Sequence, residues 1–148
     1  MASIARGAFR LSVEVVLVHE SKVLVTKRAD SCSVAPGVWN VPAGKVDIGE
    51  TTFDAVIRET REEVGINVFV VKILSETATT VIKAGVPASR NIFTYHVETE
   101  GTTEVVLNEE HSEYAWVSAA ELADSKYDSM LPRLRKAILT LLPDVSKK

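Results

Sequence analysis

Glu59, Glu62 and Glu63 stand at i, i+3 and i+4 in the stretch Arg58-Glu-Thr-Arg-Glu-Glu-Val-Gly65. If that stretch is helical, the three carboxylates share one face. Like charges so close repel, and a hard divalent cation with a preference for oxygen removes the repulsion. Such a cation takes a few carboxylates, keeps several waters and binds substrate phosphates. It also lowers the pKa of a bound water and neutralises charge during displacement at phosphorus. These residue types at this spacing could hold such a cation without many basic side chains, although a Glu-rich helix taken alone is more often a solvated face.

The remaining acids follow the same clustering. Twelve of the twenty Asp and Glu residues lie in two short windows, Gly44–Glu63 and Glu98–Glu113. The first holds Asp47, Glu50, Asp54, Glu59, Glu62 and Glu63, and the second ends in Glu109, Glu110 and Glu113. With 17 Lys and Arg, the net charge of the 148-residue chain is −3, which excludes a domain that grips nucleic acid by bulk positive charge. The single cysteine, Cys32, excludes an internal disulfide framework and a Cys-rich zinc site. No run approaches the roughly 20 apolar residues of a membrane span, so no membrane partner is expected. The opening segment, residues 1–10, carries two arginines but no apolar signal core, and the expected setting is cytoplasmic.

The elements that must position the acids can be read from pattern. Leu11–Val18 and Lys22–Thr26 predict two strands about a tight turn, and Arg28–Asn40 a loop. Thr51–Val64 predicts a helix capped by Thr51 or Thr52 and stopped by Gly65. Phe53, Val56, Ile57, Thr60 and Val64 form its packing arc, beside an acidic arc of Glu59, Glu62 and Glu63. Asn67–Leu74, Ala78–Lys83, Asn91–Val97 and Glu113–Val117 predict further strands, with Gly85-Val-Pro87 as a break and Gly101–Asn108 as loop or edge strand. Ser118-Ala-Ala-Glu121 is a capping box, and Leu131, Leu134, Ile138 and Leu141 space a final helix through Leu142. With no repeat or linker, residues 1–148 predict one α/β domain.

The window Gly44 to Ile66 resembles the Nudix box, the signature of the Nudix hydrolase family. That pattern runs Gly, five residues, Glu, seven residues, Arg-Glu-aliphatic, one residue, Glu-Glu, one residue, Gly-aliphatic. Gly44, Glu50, Arg58, Glu59, Glu62, Glu63 and Gly65 all match, an agreement expected by chance on the order of 10⁻⁸ per starting point. Thr60 stands where an aliphatic residue is usual, and its methyl group can still face the core. The lead-in Trp39-Asn-Val-Pro-Ala-Gly44 and the later Glu113-Tyr-Ala-Trp-Val-Ser-Ala-Ala-Glu-Leu122 are also similar to family segments, with Ala43 in place of a Gly.

The resemblance implies a mixed β-sheet sandwiched between α-helices, and a Mg²⁺-dependent hydrolase for which Mn²⁺ can substitute. Its substrate would be a nucleoside diphosphate linked to another moiety. By position, Glu59, Glu62 and Glu63 would be metal ligands, joined by a backbone carbonyl near Ala43–Gly44. Arg58 would orient Glu59, with Glu50 and Gly65 supporting the box. Family members differ in the general base; here Glu59 or a downstream acid stands open, with Glu113 and Glu110 favoured. Arg28, Trp39 and Glu110 are carried as substrate-binding candidates, although strand-end charge and core packing are the plainer readings of the first two. Cys32 reads as a loop thiol, and His111 as a residue of the acidic loop.

Val81 and Lys83 stand where members acting on ADP-ribose and on dinucleoside polyphosphates tend to carry Pro and Tyr. This shifts weight towards a nucleoside triphosphate pyrophosphohydrolase, ahead of a hydrolase of ADP-ribose or nucleotide sugars. A Nudix-like nucleotide sensor without catalysis is the reading from another class, disfavoured by the complete acidic set. The resemblance admits a homodimer, common in the family.

Overall fold

A computed structural model describes residues 7–143; the first six residues of the opening segment lie outside them. Strand β1 (Ala8–His19) is the spine of the molecule. Its Val13, Val15 and Leu17 enter one apolar cluster and Val16 the other, so a near-continuous aliphatic run is buried on both faces. It pairs in parallel with β6 (Val86–Thr99), from Ala8↔Ala88 to Leu17↔Val97. Strand β5 (Val68–Lys83) lies antiparallel on the far side of β6. The other edge of β1 is shared. Short β4 (Ala43–Lys45) pairs at Ser12–Glu14, and β2 (Lys22–Arg28) pairs at Val18–His19. Strands β3 (Trp39–Asn40) and β7 (His111–Val117) complete the seven strands on either side of β2.

Helix α1 (Thr52–Val64) covers one face through Ala55, Val56 and Val64. Helices α2 (Ala119–Leu122) and α3 (Pro132–Leu139), with a 3-10 turn at Ser125–Tyr127 between them, cover the other. The result is the expected mixed sheet between helices. The segment after α2 departs from the expectation, because the 3-10 turn precedes a final helix shorter than the apolar spacing suggested.

Other differences have local causes. The two strands expected at 67–74 and 78–83 are one strand, with register shifts at Val70/Lys72 and Ile73/Ser75 absorbing the break in alternation. Gly85-Val-Pro87 does not end a strand. The turn is Ala84–Gly85, both at positive φ, and Val86 already pairs with Lys83, as a tight hairpin requires. Gly101–Asn108 is a loop. Phe53 is not part of the packing arc: it is 53% exposed, edge-on to Tyr95 at 5.3 Å, and Ala55 takes the buried position.

One buried ion pair ties the last helix to the spine. Glu14, 5% exposed, accepts from Arg133 Nη1 at 2.7 Å, Arg133 Nη2 at 2.9 Å and Thr94 Oγ1 at 2.7 Å. Removing the cation strands a buried carboxylate. Arg133→Met should destabilise by about 3 kcal/mol, read as a fall in Tm of about 6–12 °C. Adding Glu14→Gln to that variant should recover part of the loss.

Candidate active site

The sequence places α1 where the sheet edge can meet it. Thr51 Oγ1 accepts from Asp54 N at 3.1 Å, and Gly65 closes the helix at φ 72°, its N–H bonding Arg61 O at 3.0 Å. A residue with a Cβ is strained in that left-handed conformation. Thr60 is fully buried and bonds back to Val56 O at 2.6 Å, so it occupies the aliphatic position with its hydroxyl satisfied.

Arg58 organises the acids. Its Nε donates to Glu50 Oε2 at 2.7 Å and its Nη2 to Glu50 Oε1 at 2.8 Å, a two-point clamp. Nη2 also reaches Lys45 O at 2.9 Å, which fastens β4 to the helix, and lies 3.5 Å from Asp47 Oδ2. Nη1 bonds Glu59 Oε1 at 2.8 Å and Glu62 Oε2 at 3.2 Å. Hydrogen bonds from Arg58, with a further one from the Asp47 N–H, hold the Glu50 carboxyl down at about 2. A lysine offers one point charge in place of this planar fork. Arg58→Lys should therefore lower turnover about 100-fold while the protein stays folded, measured as kcat beside a thermal melt.

Glu59 and Glu63 are set differently from a solvated acidic face. Burial pushes the Glu59 carboxyl up, against the pull of Arg58, and the charges of Glu62 and Glu110 add to the rise. Glu63 is 4% exposed and accepts from Ala43 N at 3.0 Å. Burial, with the charges of Glu59 and Glu110, pushes its carboxyl up to about 8. Glu62 is the exposed member of the three. Gly44 lies against Glu59 so closely that a methyl group built on it would overlap all three carboxylate atoms; glycine is what this approach requires.

These donors fit a divalent cation. They are hard oxygens, two of them desolvated and mutually repelling, beside a backbone kept bare at Gly44. Among the described residues no ready-made cluster of three such side chains is formed. Instead, Arg58 Nη1 joins Glu59 to Glu62, and Glu63 turns to the Ala43 N–H.

The acidic loop is resolved residue by residue. Val106 N donates to Val64 O at 2.9 Å and Asn108 N to Glu63 O at 3.1 Å, so the loop is laced to the end of α1. Glu110 follows directly, close enough for its charge to act on both Glu59 and Glu63. Arg28 also stands near enough for its charge to act on Glu63, with its Nε bonded to Val34 O at 2.8 Å. Glu109 is exposed beside them.

Two candidates are corrected. Glu113 belongs to the opposite side of the sheet. On β7 it shares a face with Ala115 and Val117, which pack under α3, and it meets Lys27 Nζ at 3.4 Å and acts on Tyr127. Trp39 is core rather than a stacking platform. It is 3% exposed, its ring edge-on to Tyr127 at 4.9 Å with Lys126 Nζ 5.2 Å from its centroid. Missed by sequence reading were Asp47, the Lys45 carbonyl and Asn108. Only Asn108 carried a legible signal, as an Asn two residues before the N–H it caps.

Comparison with known proteins gives the family and the fold. The family model of the NUDIX domain matches residues 8–141. Nucleoside triphosphatase NudI of Escherichia fergusonii is 31% identical over 116 residues, which span 74% of this chain and 81% of that protein. Among solved structures, the MutT protein of Methanosarcina mazei superposes with a TM-score of 0.67 at 23% identity, covering 93% of this chain and 95% of that one. An ADP-ribose pyrophosphatase of Streptococcus suis gives 0.64 at 18% identity, covering 94% and 92%. With the box complete from Gly44 to Ile66 and folded around Arg58, the chain belongs to the Nudix hydrolase family.

Proposed function

We propose that this enzyme is a Mg²⁺-dependent nucleoside triphosphate pyrophosphohydrolase, with Mn²⁺ able to substitute, releasing a nucleoside monophosphate and pyrophosphate. The observation that carries it is the desolvated pair of Glu59, packed against Gly44 and held by Arg58, and Glu63, held by the Ala43 N–H. The 31% identity to a nucleoside triphosphatase supports the choice of substrate. Glu59, Glu62 and Glu63 would hold the ion, with a carbonyl at Gly44 as a further donor. When bound, the ion supplies charge neutralisation at the phosphates and a more acidic water. Arg58 fixes the orientation of Glu59 and Glu62. Arg28 offers a cation to a substrate phosphate. Glu110 accepts the proton of the water that attacks phosphorus, at a carboxylate oxygen beside the desolvated pair.

The enzyme works as one domain in the cytoplasm on a small nucleotide; among the described residues no helix is long and apolar enough to cross a membrane. The test is a panel of nucleoside triphosphates, ADP-ribose and nucleotide sugars with Mg²⁺, its products resolved by ion-exchange chromatography. Monophosphate plus pyrophosphate from at least one triphosphate is expected. Cleavage confined to ADP-ribose or sugar nucleotides overturns the substrate class. Thermal-shift binding with no product anywhere overturns catalysis and leaves a sensor.

A further inference from the structure

We propose that Asn108 is a positioning residue that ties the backbone of Glu110 to the end of α1, and so fixes where its carboxylate stands relative to Glu59 and Glu63. The inference rests on the reading of Glu110 as the proton acceptor and names what holds it there.

The loop before β7 has no ladder of its own, so its backbone must find partners elsewhere. It finds them at α1, where helix-terminal carbonyls lack intrahelical donors. Asn108 N to Glu63 O, 3.1 Å, is the last of these ties. From that anchored residue the side chain turns forward. Asn108 Oδ1 accepts from Glu110 N at 3.2 Å and faces His111 Nδ1 at 3.0 Å, while Asn108 O accepts from His111 N at 3.3 Å. His111 is 8% exposed, and burial lowers its pKa, so the neutral ring can donate from Nδ1 to Asn108 Oδ1. The carbonyl of Glu110 is held from the other side, by Ala29 N at 2.9 Å and Cys32 Sγ at 3.3 Å.

Both backbone polar groups of Glu110 are therefore fixed, and its N–H is fixed by the residue that also bonds the backbone of Glu63. One side chain links the helix carrying the proposed ligands to the loop carrying the proposed base. Asn108→Ala keeps its own backbone bond to Glu63 O and removes only the forward half of the link. A local turn without a catalytic consequence would lose a little stability and nothing else.

The test is a cycle of Asn108→Ala, Glu110→Gln and the double variant, assayed with a cleaved triphosphate at saturating Mg²⁺. Asn108→Ala should lower kcat about 10- to 100-fold with KM changed less than about 3-fold and Tm within a few degrees. Asn108→Asp, which keeps both acceptor bonds, should return kcat to within about 3-fold of the parent. Because Asn108 acts through Glu110, the double variant should be no slower than Glu110→Gln alone, within about 2-fold.

Wild-type kcat in Asn108→Ala beside a slow Glu110→Gln overturns this proposal and leaves the role of Glu110 standing. Losses that multiply in the double variant also overturn it, since Asn108 would then act elsewhere. Wild-type kcat in Glu110→Gln overturns the assignment of the base, and this inference with it.

Discussion

Glu63→Gln is expected to fold, to lose about 10³-fold or more in turnover, and to melt higher than the parent protein in EDTA at pH 8. The first effect follows from removing a ligand of the ion that neutralises charge at phosphorus, a contribution of several kcal/mol to the barrier. The second follows from linkage. The Glu63 carboxyl sits at about 8 in the folded protein against an ordinary value of 4.5. A raised folded value means that the folded state favours the proton. The stability it brings is complete below about pH 4.5 and is lost as pH rises through about 8.

Above that pH the metal-free protein carries a buried charge facing Glu59 and Glu110. Glutamine has the same shape, still accepts from the Ala43 N–H and carries no charge. Even half of the implied shift corresponds to a gain of ~5 °C. Melting curves of both proteins across pH 5–9, with and without Mg²⁺, check this. The parent should gain most from Mg²⁺ at high pH, and the variant should gain little at any pH. A variant that melts below the parent in EDTA at pH 8 would refute the account of Glu63.

Gly44→Ala is the second large effect, and its signature is the reverse of a folding defect. The added methyl group falls on the Glu59 carboxylate, the mobile end of a long side chain. Gly44 has no positive φ to lose, so the strand tolerates the substitution and Glu59 must swing away. Its bond to Arg58 Nη1 goes with it. A protein with Tm within a few degrees of the parent and turnover about 100-fold lower is expected. Titration of Mg²⁺ into the variant should show weakened binding. A variant with parental turnover would show that Glu59 works from a position other than the one against Gly44.

The helix and its ends were legible because their rules are local: Thr51, Gly65 and the i, i+3, i+4 acids are each decided within one turn of chain. The family pattern located the box for the same reason. What escaped reading depends on which face of a strand a residue occupies after long-range pairing. Glu113 and Glu110 are three residues apart and equally acidic in the sequence. The bulge at Lys27/Arg28 and the start of β7 at His111 put Glu113 with Ala115 and Val117, across the sheet from Glu63. For Trp39 the sequence leaves core packing and substrate stacking both open, until β3 pairs it with Lys27 and buries it. The buried state of Glu63 was invisible for a different reason. A helical wheel shows an acidic arc, but only β4, arriving with the Ala43 N–H, makes one member of that arc interior.

The parallel register of β1 with β6 joins residues eighty positions apart, from Ala8↔Ala88 onward. The proposed ligands of the cation and Arg58, from Gly44 to Glu63, lie inside that excursion. Closing so long a loop costs entropy before the pairing returns anything, which slows folding. β4, which brings Gly44 and Ala43 to α1, pairs only with β1, so the centre has no scaffold until the spine is in place. A nascent or partly unfolded chain therefore holds its acids as a loose polyelectrolyte without selectivity for a cation. Catalytic competence thus waits on β1, on which both β4 and β6 pair.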